Sequence, residues 1–117
     1  MGLREELFAD YKLSDWTRPA PLAVATPEWP KFDGQIFVRK LTAGELDKFW
    51  SVGEEGGSER ARFVALVACD ANNVPFFKET DVGDLAGLAF EPVDRIAQKG
   101  QWFNGMLPEQ REARQKN

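Results

Sequence analysis

Arg60-Ala61-Arg62-Phe63-Val64-Ala65-Leu66-Val67-Ala68-Cys69-Asp70-Ala71-Asn72-Asn73-Val74-Pro75-Phe76-Phe77 is the stretch that decides the fold. From Phe63 to Cys69 no side chain needs to face water. A helix at a protein surface keeps a polar face, and this run has none. It therefore predicts a central helix buried on nearly every side. Asp70 to Asn73 stops the element with residues that tolerate left-handed backbone. Val74-Pro75-Phe76-Phe77 follows as a short apolar connector. A buried helix, a polar turn and an aromatic connector make a fold signature and no reaction centre.

Toward the C-terminus, Thr80 or Asp81 is expected to open another helix, with Val82, Leu85, Leu88 and Ala89 on one side. Pro92 cannot continue a straight helix, so it kinks this element or starts a new one. Val93, Ile96, Ala97 and Phe103 extend the apolar face, and Asn104-Gly105 is a natural C-cap. Pro108 suits the first turn of a last helix. From Glu109 onward the tail has Ala113 as its one apolar residue, so it is expected to fray unless a partner orders it.

Toward the N-terminus, Gly53 to Gly57 reads as a loop, and Ser58 with Glu59 caps the buried helix. Thr42 and Glu45 form a capping box, with Leu41 and Leu46 at the staple positions around it. That helix runs on through Phe49 and Trp50. Residues Gln35 to Arg39 are β-branched and aromatic and predict a strand, paired with residues 22–25. Pro19, Pro21, Pro27 and Pro30 keep the segment around that partner extended or looped. Residues 3–12 predict a short helix with Leu3, Phe8 and Tyr11 on its apolar side. The fold class is thus mainly α (α+β): a helical domain of about four to five helices with a small N-terminal hairpin-like β element. The organisation expected is an N-terminal arm over 1–26 carrying the Pro-rich segment, a helical domain over 27–107, and a charged tail over 108–117.

With 117 residues the chain fits one domain with a core of its own. A net charge of −4 argues against nucleic-acid binding, which draws on a basic face. The chain has no histidine, which removes the commonest general base and metal ligand. Its single cysteine, Cys69, lies inside the apolar run, where it reads as a small buried hydrophobe. No cofactor or metal is expected. No signal peptide and no membrane-spanning segment is read, so the expected location is the cytoplasm.

Several short motifs together resemble the tail assembly chaperones of long-tailed bacteriophages and prophages. They are Trp29 before a Gly-containing turn, Ile36-Phe37-Val38-Arg39-Lys40-Leu41 leading into a capped helix, and Arg60-Ala61-Arg62-Phe63-Val64-Ala65-Leu66. Pro75-Phe76-Phe77, Asp81-Val82, Val93-Asp94-Arg95-Ile96 and Asn104-Gly105 before a charged tail complete the order. The resemblance covers roughly residues 27 to 117; Pro92 and the Pro-rich segment before Trp29 depart from it. It implies a non-catalytic protein that keeps the long, apolar tape-measure protein soluble in the host cytoplasm and leaves before the virion matures. It also implies a longer product made by ribosomal frameshifting, whose extension engages the tail tube protein. Gln115-Lys116-Asn117 can be encoded as a slippery heptamer, which would place the slip there. A homo-oligomer is a further expected partner arrangement. The alternative function is a structural virion component, such as a minor tail or head–tail connector protein.

The expected partner-binding residues are Trp50, Phe76, Phe77 and Trp102. Phe49 and Phe103, by contrast, are expected to fill the core. Phe76 and Phe77 are adjacent, and in an extended connector they point to opposite faces, leaving one exposed. Catalytic readings are poor. Glu54-Glu55 lies in a Gly-rich loop, Asp81 and Asp84 read as helix N-terminal charges, and Ser14, Ser51 and Ser58 have no histidine to activate them. Gly53 to Gly57 lacks the Lys-Ser/Thr of a phosphate loop.

Overall fold

One unbroken apolar run supplies both the central helix and the inner end of the sheet. The computed structural model describes residues 2–12, 18–53 and 57–115. In chain order the elements are α1 (Leu3–Tyr11), β1 (Leu22–Ala25), β2 (Gln35–Val38), α2 (Ala43–Val52), α3 (Glu59–Val67), β3 (Ala68–Cys69), α4 (Val82–Ala86), α5 (Phe90–Phe103) and α6 (Pro108–Gln115). Single 3₁₀ turns at Pro30–Phe32 and Glu79–Asp81 precede β2 and α4. The strands form one antiparallel sheet in the order β1-β2-β3. The mainly helical class with a small β element holds.

The expected helix over Phe63 to Cys69 is shorter than the run. α3 stops at Val67, and Ala68 and Cys69 pair with Val38 and Phe37 of β2. The cause is tertiary. The Arg39 backbone N–H donates to Val67 O at 3.0 Å, and its Nε and Nη2 donate to Leu66 O at 3.1 and 2.8 Å. These donors satisfy carbonyls that a helix end leaves free. The free edge of β2 then takes the next two residues, since β2 needs a partner there. Burial follows the sequence reading: Phe63, Val64, Val67, Ala68 and Cys69 are buried, while Ala65 and Leu66 are half-buried. The polar turn is also as read. The Asp70 carboxylate accepts from the Asn72 and Val74 N–H groups at 2.8 and 3.1 Å, and Asn73 takes φ 65°.

α5 lies across α3 and the sheet and closes the core of Val24, Ile36, Val38, Phe63, Val67 and Ile96. The approach of α3 to α5 is possible because residue 100 is glycine. A Cβ there would lie 2.9 Å from Val67 Cγ1 and 3.0 Å from Phe63 Cε2. Pro92 sits in the first turn of α5, where its missing N–H costs nothing, so it starts a helix and kinks none. Asn104 ends α5 and ties it to the β2–α2 junction. Its Oδ1 accepts from Leu41 N at 2.8 Å, and its Nδ2 donates to Arg39 O and Gly100 O at 3.1 and 2.9 Å. Gly105 follows with φ 67°, as a C-cap glycine should.

The segment expected to fray is helical. α6 begins at Pro108, and Gln110 holds its start: the side chain accepts from Leu107 N at 3.1 Å and donates to Trp102 O at 2.9 Å. At the far end of the sheet, Arg95 of α5 grips the turn after β1. It donates to Ala25 O at 2.8 Å and pairs in bidentate fashion with Glu28, both contacts at 2.9 Å. That fork holds the Glu28 carboxyl at about 2, far below its ordinary 4.5.

Candidate functional site

α2 is the element with room around it. Its N-terminus is firmly held. Thr42 Oγ1 accepts from Glu45 N at 3.1 Å and Glu45 Oε1 accepts from Thr42 N at 2.8 Å, the capping box read from the sequence. Glu45 also pairs with Arg39 at 3.2 Å and Arg18 at 3.3 Å. Burial works to raise the Glu45 pKa, but the Thr42 N–H and then the Arg39 and Arg18 guanidinium groups outweigh it and leave it lowered.

Beyond this cap, α2 makes little backbone-level contact with the rest of the molecule. Phe49 is its one buried residue. Its ring meets Phe63 edge-on at 5.6 Å. The Arg62 guanidinium lies 4.6 Å over the same ring and donates to Phe49 O at 3.0 Å. Phe49, with half-buried Leu46 also packed against the core, holds the helix body, and grooves open on both sides of Phe49.

The larger groove has a volume of about 750 Å³. Phe49, Trp50, Phe63, Met106 and Leu107 supply its apolar lining, and Glu59, Asp94 and Glu109 stand against Arg60 as its charged groups. Asp94 is paired with Arg60 at 3.0 Å, so the lining is acidic on balance. Trp50 packs edge-on to Phe49 at 5.0 Å and still exposes 54% of its surface. The smaller groove, about 450 Å³, lies between α2, α3 and the connector that starts at Pro75. Phe49, Val52, Leu66, Phe77 and Val82 form its apolar part. Arg39, Lys48 and Arg62 outnumber Glu45 and Glu79 along it.

The four residues singled out from the sequence do not converge. Trp50 lines the larger groove and Phe77 the smaller. Phe76 is exposed, but the two Phe rings do not point apart as expected. They meet edge-on at 4.9 Å and 64°. Pro75 pairs with Cys69 in an antiparallel bridge, with the Phe76 N–H donating to Ala68 O at 3.1 Å, and the chain bends just after it at Phe76 and Phe77, where the alternation of an extended strand is lost. Trp102 is 51% exposed on α5 and lines neither groove. Phe49 is buried and Phe103 packs against the core, as expected. Met106 and Leu107 were not singled out. Their signal is weak, two apolar residues in a connector after a helix C-cap, without periodicity to mark a face.

The residues weighed for chemistry serve structure where they are described. Ser58 caps α3 by accepting from Ala61 N at 3.3 Å, and Ser51 donates to Lys48 O at 2.8 Å. Asp81 accepts from Lys78 N at 2.8 Å. Burial pushes the Cys69 thiol up to about 11, which leaves it protonated and a poor nucleophile. Ser14, Glu54, Glu55 and the Lys116-Asn117 end of the slip-site reading lie outside the described residues. Among the described residues no group of three or more His, Cys, Asp or Glu side chains is placed to hold a metal ion. No described helix is long and apolar enough to cross a membrane. No protein-family model, no curated protein and no solved structure matches this chain.

Proposed function

We propose that this chain is a non-catalytic assembly chaperone of the phage-tail kind, which covers an apolar helical stripe of a tape-measure protein until tube protein replaces it. The observation that carries the reading is the larger groove beside α2. Its lining is mixed and more polar than apolar: Phe49, Trp50, Met106 and Leu107 form an apolar strip among polar side chains of acidic balance, and a half-exposed tryptophan stands at its edge. An apolar strip with a polar surround suits the apolar stripe of an amphipathic helix and the charged residues that flank it. Tryptophan at such an edge gives much contact area for little lost side-chain freedom. The acidic lining favours a client helix flanked by Lys or Arg, and it disfavours acidic ones. The order of sequence motifs that resembles the tail assembly chaperones supports the same reading, and so does the reversibility that a shallow surface groove allows.

Co-expression with the tape-measure protein encoded in the same gene neighbourhood tests it. The tape measure is expected to stay soluble and co-elute with this chain on size exclusion. Trp50→Glu is expected to abolish that co-elution while the variant stays folded. A tape measure that is insoluble with the wild-type chain, or a complex indifferent to Trp50→Glu, contradicts the reading. A chain that is recovered instead in purified particles is a virion component.

A further inference from the structure

The chain between α4 and α5 presents an unbroken run without a polar side chain to solvent. Ala86-Gly87-Leu88-Ala89-Phe90 is exposed throughout, Leu88 at 45% and Phe90 at 60%. A lone exposed apolar side chain is ordinary, but a consecutive exposed run is a liability unless something covers it. Neither groove beside α2 takes in any residue of this knuckle.

Its place on α5 nevertheless joins it to the larger groove. Asp94, Gln98 and Gln101 line that groove and lie along one side of α5, at spacings of four and three residues. Phe90 stands one turn before Asp94 in the same row, so the row leads out of the groove onto the knuckle. The join is held firmly. The Arg60 guanidinium lies 4.8 Å over the Phe90 ring, and its Nε donates to Asp94 Oδ1 at 3.0 Å. Gln98 Nε2 donates to the other carboxylate oxygen at 3.0 Å. A hollow of about 300 Å³ beside Phe90 shares Asp94 and Gln98 with the larger groove.

Charge says what can lie along this row. In the groove Arg60 is taken by Asp94, while Glu59 and Glu109 have no ion-pair partner among the described residues. Around the hollow Arg95 is held by Glu28, which leaves Glu91 against Lys99, so apolar contact decides there.

We infer that the client helix of the Trp50 groove continues onto the knuckle, where Leu88 and Phe90 form a second apolar anchor. The inference rests on the chaperone reading and adds the pattern of the client. That segment is an amphipathic helix with two apolar clusters about two to three turns apart, since α5 rises about 16 Å from Phe90 to Gln101. It carries Lys or Arg toward Glu59 and Glu109.

Photo-crosslinking of the full chain, co-expressed with the tape-measure protein of its gene neighbourhood, tests this. p-Benzoyl-phenylalanine takes the place of Phe90 in one variant and of Trp50 in another. Both are expected to crosslink to the tape measure, at residues on one face of one client helix. Leu88→Ser with Phe90→Ser changes only exposed side chains; its circular dichroism is expected to be unchanged and its complex to dissociate about tenfold faster. A crosslink from position 50 with none from position 90 overturns the inference and leaves the chaperone reading standing. A crosslink from position 90 to a second copy of this chain, or to a client segment remote from the one that position 50 reaches, overturns it in the same way. So does an unchanged dissociation rate in the double serine variant. No crosslink from position 50 to the tape measure overturns both.

Discussion

α3 and α2 are neighbouring helices of similar length that are held in different ways. α3 is enclosed: α5 presses on it at Gly100, Arg39 caps its end, and its chain runs on into the sheet. α2 is pinned at its first turn by the Thr42–Glu45 box and the two arginines, and its body rests on Phe49 and the half-buried Leu46. The comparison separates stability from availability. The enclosed helix carries the burial that holds the domain together, and the pinned helix borders the free volume a partner can use. Elements that bind are drawn from the less stable end of a structure, and α2 fits that position.

The difference can be broken from the enclosed side first. Ile96→Ala removes a fully buried side chain of α5 and is expected to cost about 2–5 kcal/mol, read as a lowered midpoint in urea. Gly100→Val is next. Its side chain would meet Val67 and Phe63, and overpacking of this sort costs about 1–3 kcal/mol. A Gly100→Val protein as stable as the wild type would mean that α3 and α5 are less closely packed than described. Thr42→Ala sharpens the comparison from the other side. Losing the N-cap is expected to cost about 1 kcal/mol, and hydrogen exchange should quicken in α2 while the α3 amides keep their protection. Equal quickening in both helices would show that α2 is as integral as α3.

A smaller effect is expected from acid. The Glu28 carboxyl is held at about 2 by Arg95, against an ordinary 4.5. A depressed acid contributes stability above its unfolded value and loses it as pH falls through the folded one. Stability should therefore decline between pH 4.5 and about 2, and Glu28→Gln should flatten that part of the profile. The glutamine variant should also be slightly less stable at neutral pH. An unchanged acid profile would mean that the Arg95–Glu28 fork is not held in solution.

How much of this was legible in the sequence follows the same division. The capping box, the Ser58 cap, the polar turn at Asp70 to Asn73, the strand at Gln35 and the C-cap at Asn104-Gly105 are local chemistry, and each stands where the residues put it. The burial of Phe63 to Cys69 was legible because burial depends on composition. Its division into helix and strand was not, since Arg39 and β2 impose it from far along the chain. The start of a last helix at Pro108 was legible, but its order beyond Glu109 was not, because Gln110 reaches back to Trp102 to hold it. The grooves were the least legible. Trp50 and Phe77 were found as large aromatics beside polar or looped segments, but which groove each lines depends on where α2 stands off the body. Nothing local marked Met106 and Leu107.

The central claim is that the open side of α2, bordered by Trp50, Met106 and Leu107, is where a client helix lies. Hydrogen exchange of the chain alone and in complex with the tape-measure protein tests it most directly. The account predicts new protection in the second half of α2 and at the start of α6, with little change in α3, which is already enclosed. Protection confined to α1 or to the β1–β2 edge, with α2 and α6 unchanged, would contradict it.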